Sequence, residues 1–65
     1  MNREHIINFA WENDLAYSTE FIWKGQTVLV FSVNSFYGLE NFKKVFDAKR
    51  VMDSHNENYL IGVVI

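Results

Sequence analysis

Residues 21–33 constrain the fold of this 65-residue chain more than any other part of its sequence. Two runs rich in β-branched and aromatic residues flank the pair Lys24-Gly25, which suits a tight hairpin turn. A two-residue loop there pairs Trp23 with Gln26, whereas a bulged three-residue loop would shift the register by one residue. Both faces of the ribbon carry large apolar side chains, so each face needs a cover from this chain or from another molecule.

The two-residue register divides the hairpin strands, residues 15–24 and 26–34, into two faces. One face holds Tyr17, Thr19, Phe21, Trp23, Val28 and Val30. The other holds Ala16, Ser18, Glu20, Ile22, Leu29, Phe31 and Val33. The bulged loop would exchange the faces of one strand, so this division depends on the type of loop.

A helix is predicted over residues 39–49. Its apolar side chains recur at helical spacing and are Leu39, Phe42, Val45 and Phe46. We expect this helix to cover the hairpin face that holds Leu29, Phe31 and Val33. The opposite face, with Trp23, is then left to the N-terminal segment or to a partner.

Residues 5–11 fit either a strand or a helix. In a strand, Ile7, Phe9 and Trp11 share one face. In a helix over residues 3–14, the apolar side chains spread over more than half of the circumference. The acids that follow would also lie at the negative end of the helix dipole. We prefer the strand and keep the helix as the alternative.

The last segment predicts a second hairpin. Residues 51–53 lead to a polar turn at 54–58, and an apolar run follows at 59–65. That run is apolar on both faces, which is typical of a central strand. The expected fold class is α+β, with a mostly antiparallel sheet of four to five short strands and one helix packed on one face. The length allows a single compact domain, residues 1–65.

The sequence offers little chemistry. It contains no cysteine, which excludes disulfides. His5 and His55 lie far apart and are interpreted as surface residues, so we predict no metal site and no cofactor. Asp53-Ser54-His55 has the residue types of a hydrolase triad, but three consecutive residues cannot place these groups in line. We therefore predict no catalytic residue and no enzyme activity.

The chain also lacks signals for membranes. No apolar run approaches the roughly 20 residues that a membrane-spanning helix needs. The first residues lack the long apolar segment and small-residue cleavage site of a signal peptide. We expect a cytoplasmic protein with no membrane partner.

Binding to another protein is the function that these features favour. Interfaces place large aromatic side chains at their centre, and an acidic rim is complementary to a basic partner. The predicted partner-binding residues are Tyr17, Phe21, Trp23, Glu12, Asp14 and Glu20. We expect a small non-enzymatic protein-binding module that acts as a stoichiometric inhibitor of a host enzyme or of a nucleic-acid-handling machine. In size and composition the chain resembles small inhibitors carried by phages and other mobile elements.

Two alternatives use the same aromatic surface. Single-stranded nucleic acid could stack on the aromatic side chains, with Lys24 and the cluster Lys43, Lys44, Lys49 and Arg50 contacting phosphates. The formal net charge of −2 argues against it, because phosphate neutralisation dominates such affinity. The second alternative is a structural homodimer, since two-fold interfaces are the commonest contacts between protein copies.

Overall fold

A computed structural model describes residues 2–51 and 59–65 of the chain. The elements in order are α1 (Arg3–Glu12), β1 (Leu15–Trp23), β2 (Gln26–Val33), α2 (Phe36–Lys43), β3 (Ala48–Val51) and β4 (Leu60–Val64). The strands form one antiparallel sheet in the order β1-β2-β4-β3. The α+β prediction is confirmed, and β4 is the central strand that its two apolar faces indicated. The predicted turn at 54–58, with His55, lies outside the described residues.

The β1–β2 hairpin has the two-residue register predicted from its turn. Trp23 pairs with Gln26 and Phe21 pairs with Val28. Lys24 and Gly25 have φ angles of 51° and 76°, the left-handed conformation that mirror-image hairpin turns require. Glycine adopts this conformation at no steric cost, so Gly25 allows the tight loop without backbone strain.

A β-bulge at Ser18 interrupts this register near the start of β1. Tyr17 lies opposite Phe31 and Thr19 lies opposite Val30, so Ser18 has no counterpart on β2. Because side chains alternate along a strand, the extra residue moves the side chains of the preceding β1 residues to the opposite face of the sheet. The predicted placement of Tyr17 beside Phe21 and Trp23 is therefore wrong.

The N-terminal segment is the alternative helix, and the preferred strand is wrong. The Asn2 side chain accepts a hydrogen bond of 2.8 Å from the Glu4 backbone N–H, which caps the helix. Ile6 and Ala10 lie four residues apart and are both fully buried. This packing outweighs the acid at the C-terminal end, Glu12, whose unfavourable dipole interaction is worth about 0.3–1 kcal/mol at most on an exposed surface.

The second helix begins and ends earlier than the predicted 39–49. Ser35 caps it by accepting a hydrogen bond of 3.2 Å from the Gly38 backbone N–H. The helix ends at Lys43 because the chain must turn into β3, where Ala48 already pairs with Val63.

The main core lies between the sheet and both helices. Its buried side chains are Ile6, Ala10, Leu15, Leu29, Phe31, Leu39, Phe42, Phe46, Ala48, Ile61 and Val63. The predicted cover of Leu29 and Phe31 by α2 is confirmed. The other helix, α1, packs on this same side through Ile6 and does not cover Trp23. We call this side of the sheet the helix-covered face and the opposite side the second face.

No helix in the described part of the chain is long and apolar enough to cross a membrane.

The two helical segments are in backbone contact at Gly38 of α2 and Asn13, which caps the end of α1. A Cβ atom added there would lie 1.6 Å from the backbone carbonyl oxygen of Asn13. Replacing glycine by alanine inside a helix ordinarily stabilises a protein by about 0.5–1 kcal/mol. Here we predict that Gly38→Ala lowers the free energy of unfolding by about 1–3 kcal/mol, because backbone must move to make room. Urea denaturation followed by circular dichroism measures the change.

The matched control is Asn41→Ala, at an exposed position of the same helix. We expect it to change stability by less than about 0.5 kcal/mol. A Gly38→Ala variant as stable as the wild type would show that the two segments are not in this close contact.

Candidate interaction surface

The second face has its own small apolar cluster. Val28, Val30 and Leu60 are buried there, and Val51 packs against them. These residues come from the four-stranded sheet alone, since no helix residue in the described ranges belongs to the cluster. The second face is therefore a separate apolar surface, independent of the main core.

Two large aromatic side chains remain accessible on the second face. The exposed fraction is 41% for Phe21 and 53% for Trp23. They stand two residues apart on β1 and so point to the same side. Val64 of β4 is also exposed and, like Phe21, lies directly opposite Val28. The accessible apolar groups are thus concentrated near the Lys24-Gly25 turn.

A depression of about 550 Å³ lies at this end of the sheet. Its lining residues are Ile6, Phe21, Trp23, Val28, Val45, Phe46, Asp47, Lys49, Arg50, Val51, Gly62 and Val64. All four strands contribute to this lining. The helical layer contributes too, through Ile6 of α1 and residues 45–47, which follow α2. The depression is mostly aliphatic and aromatic, with the volume of a site for one or two large apolar side chains.

The charges beside the depression are mainly positive. The ammonium nitrogen of Lys24 lies 4.5 Å from the centre of the Trp23 ring, a cation–π contact. Lys49 and Arg50 line the depression with Asp47, so the cations outnumber the carboxylate. The acidic rim that the sequence suggested for Trp23 is not present among the described residues of this depression.

The predicted acidic residues lie with the helices instead. Glu12 ends α1, and Asp14 stands in the turn between α1 and β1. Glu20 lies opposite Leu29 on the helix-covered face, where Arg3 of α1 forms a salt bridge with it. The two aromatic residues Phe21 and Trp23 are therefore brought together, while the three acids are placed elsewhere.

Tyr17 also belongs to the helix-covered side. Its ring packs edge-on against Phe31 with the ring centres 6.0 Å apart. Its hydroxyl donates a hydrogen bond of 2.7 Å to Oε1 of Glu20. This bond to a carboxylate raises the pKa of Tyr17 above its ordinary value of 10.0, because an ionised hydroxyl could not donate it. Tyr17 and Glu20 thus form a local pair apart from Trp23.

Several residues of this surface were not among the predicted partner-binding residues. Lys49, Val51 and Val64 join it because β4 pairs with β2 and β3 pairs with β4. No local sequence pattern indicates this pairing of distant segments. Residues 48–51 do not alternate strictly between apolar and polar side chains, so the sequence carried no strand signal there. Three exposed aromatic residues of the helical layer were also not singled out, and they are Trp11, Phe36 and Tyr37.

No protein-family model, no curated protein and no solved structure matches this chain.

The pair of Tyr17 and Glu20 gives a prediction about pH. A raised pKa in the folded state contributes stability that is present below pH 10 and is lost as the pH rises through the folded pKa. We predict that Glu20→Gln lowers the pKa of Tyr17 toward the ordinary value, because the charged acceptor is gone. Carbon-13 NMR of the tyrosine ζ carbons measures this pKa residue by residue.

Tyr37, exposed in α2, is the internal control in the same spectra, and its ζ-carbon chemical shift at neutral pH should be the same in both proteins. If Tyr17 titrates alike in both proteins, its hydroxyl does not bind Glu20.

Proposed function

We propose that this protein is a non-enzymatic binding module that captures an apolar, acidic segment of another protein in the depression beside Phe21 and Trp23. The observation that carries the proposal is the depression of about 550 Å³ with Phe21 and Trp23 exposed at its side. Binding energy at protein interfaces is concentrated in a few buried aromatic anchors and the pockets beside them. The cations Lys24 and Lys49 complement an acidic partner, the reverse of the charge expected from the sequence.

A surface of this kind acts by occupancy. A protein without catalytic turnover changes its partner one molecule at a time, by blocking a site or by bridging two molecules. Stoichiometric inhibition of an enzyme or of a nucleic-acid-handling machine is the activity that fits such a module, with the partner's acidic, apolar segment as the target. The cytoplasm remains the compartment that we propose for it.

Trp23 provides the direct test of this proposal. Its side chain is half exposed and lies outside both apolar clusters, so truncation removes little packing. We predict that Trp23→Ala lowers partner affinity by at least about 30-fold, the usual range of an aromatic hot spot. The same change should lower the free energy of unfolding by less than about 1 kcal/mol. The partner is isolated on the tagged wild-type protein from cells of the source organism, and affinity is then measured by calorimetry with purified components.

Trp11 supplies a matched control. It is 73% exposed, on the helical side of the molecule, so Trp11→Ala makes the same chemical change away from the depression. We expect it to leave the affinity within about twofold of the wild type. Loss of binding in Trp11→Ala but not in Trp23→Ala would move the interface to the helical layer. Equal losses of stability and affinity in Trp23→Ala would make Trp23 a structural residue.

Single-stranded nucleic acid is a second candidate, favoured by the stacking of Lys24 on an exposed Trp23. The number of cations decides against it as the main function. Lys24, Lys49 and Arg50 could neutralise about three phosphates. The logarithm of the binding constant would then fall with the logarithm of the salt concentration with a slope of only about −2, and binding at physiological salt would be weak. Titration of a fluorescently labelled short oligothymidylate at low salt, followed by its fluorescence anisotropy, separates the two. Saturable binding that Trp23→Ala abolishes would favour nucleic acid, and no binding would exclude it.

A further inference from the structure

The two edges of the sheet differ in how they are protected. Edge strands present unpaired backbone groups, and natural proteins protect them with short strands, charges or bulges. The β3 edge has only four residues, and two of them are Lys49 and Arg50. The β1 edge has nine residues and stays regular from Thr19 to Trp23, beyond the bulge at Ser18. Within the described part of the chain, this stretch of β1 is the edge that lacks such protection.

The hydrogen bonding of β2 identifies which β1 groups face outward. Thr27 accepts a bond of 2.9 Å from the Ile65 backbone N–H, and the Val33 N–H donates to Tyr59, also at 2.9 Å. Odd-numbered residues of β2 therefore bond to the β4 side. In an antiparallel sheet, the backbone N–H and C=O groups of successive residues point alternately to the two neighbouring strands. Those of the even-numbered β2 residues therefore point toward β1. Their partners Thr19, Phe21 and Trp23 bond inward, which leaves the N–H and C=O groups of Glu20 and Ile22 at the free edge.

The charges that would guard this edge are engaged within the molecule. Glu20 forms the salt bridge with Arg3 and accepts the hydrogen bond from Tyr17. Lys24 lies over the Trp23 ring. Ile22, between these charges, is 68% exposed on the helix-covered face. The free edge is thus an apolar strand with neutralised charges and four backbone groups that have no partner in residues 2–51 and 59–65.

We infer that this edge pairs with a second copy of the chain, β1 against β1, about a two-fold axis at Phe21. An antiparallel pair centred there sets Glu20 opposite Ile22 of the other copy, and the reverse, so all four outward groups form hydrogen bonds. Phe21 then faces Phe21 of the other copy on the second face, and Trp23 faces Thr19. No two carboxylates stand directly opposite each other, so the strand is complementary to itself.

This pairing joins the two second faces into one eight-stranded sheet. Phe21 of each copy then adds to the wall of the other copy's depression, so the dimer presents two adjoining depressions. The dimer uses backbone groups of β1, whereas the proposed partner site uses the Trp23 side chain. Dimerisation can therefore fail while the Trp23→Ala result still stands, and the reverse also holds.

The test compares proline at equivalent positions of the two edges. Ile22→Pro removes an outward N–H and no bond of the internal sheet, which edge strands tolerate. Arg50→Pro makes the same change at the β3 edge, since the pairing of Lys49 with Gly62 leaves the Arg50 N–H facing outward. Sedimentation over a wide concentration range should show dimers for the wild type and for Arg50→Pro, and a folded monomer for Ile22→Pro.

Hydrogen exchange supplies a second readout that needs no variant. In the wild type, the amides of Glu20 and Ile22 should exchange at least about tenfold more slowly in the dimer than at dilutions where the monomer dominates. The Phe21 amide should be protected in both states. A wild type that is monomeric up to about 1 mM would overturn the pairing, and so would a dimer that persists in Ile22→Pro.

Discussion

One extra residue in β1, Ser18, determines what the two faces of the sheet present. Without it, the hairpin register would set Leu15 and Tyr17 on the same side as Phe21. With it, Leu15 lies opposite Val33 and is buried in the main core, and Tyr17 packs on Phe31. Burying a leucine is worth about 1.5–3 kcal/mol, which exceeds the loss of one ladder position. The bulge therefore separates the strand into a part that builds the core and a part that builds a surface.

The placement of both helices on one side follows from the same arrangement. Ile6 and Ala10 of α1 meet the side chains that the bulge directs inward, and α2 adds Leu39 and Phe42. Gly38 allows the two helical segments to approach to backbone contact. The second face is left to strand residues, with the cations near Trp23 and the acid Glu20 on the helical side. The distribution of charge is thus a consequence of the fold.

Local chemistry made part of this structure predictable. The Lys24-Gly25 pair predicted the turn and its register, and the apolar spacing around Phe42 predicted a helix over the correct face. The bulge was not predictable, because the residues on both sides of Ser18 fit an unbroken strand equally well. Only contacts with distant residues, such as Phe31 and those of the helices, distinguish a bulged strand from an unbroken one. The positions of Glu12 and Asp14 depend on the helix that precedes β1, so the sequence around the hairpin did not indicate where these acids lie. The helical state of residues 3–12 likewise depended on what Ile6 and Ala10 would contact.

The bulge places Tyr17 on the helix-covered face, away from Phe21 and Trp23, and proton NOEs between side chains test this placement. We predict NOEs from the Tyr17 ring to the Phe31 ring, and from the Phe21 ring to the methyl groups of Val28. Tyr17 should show none to Val28. NOEs that connect both the Tyr17 and Phe21 rings to the methyl groups of Val28 and Val30 would place the two rings on one face and rule out the bulge at Ser18.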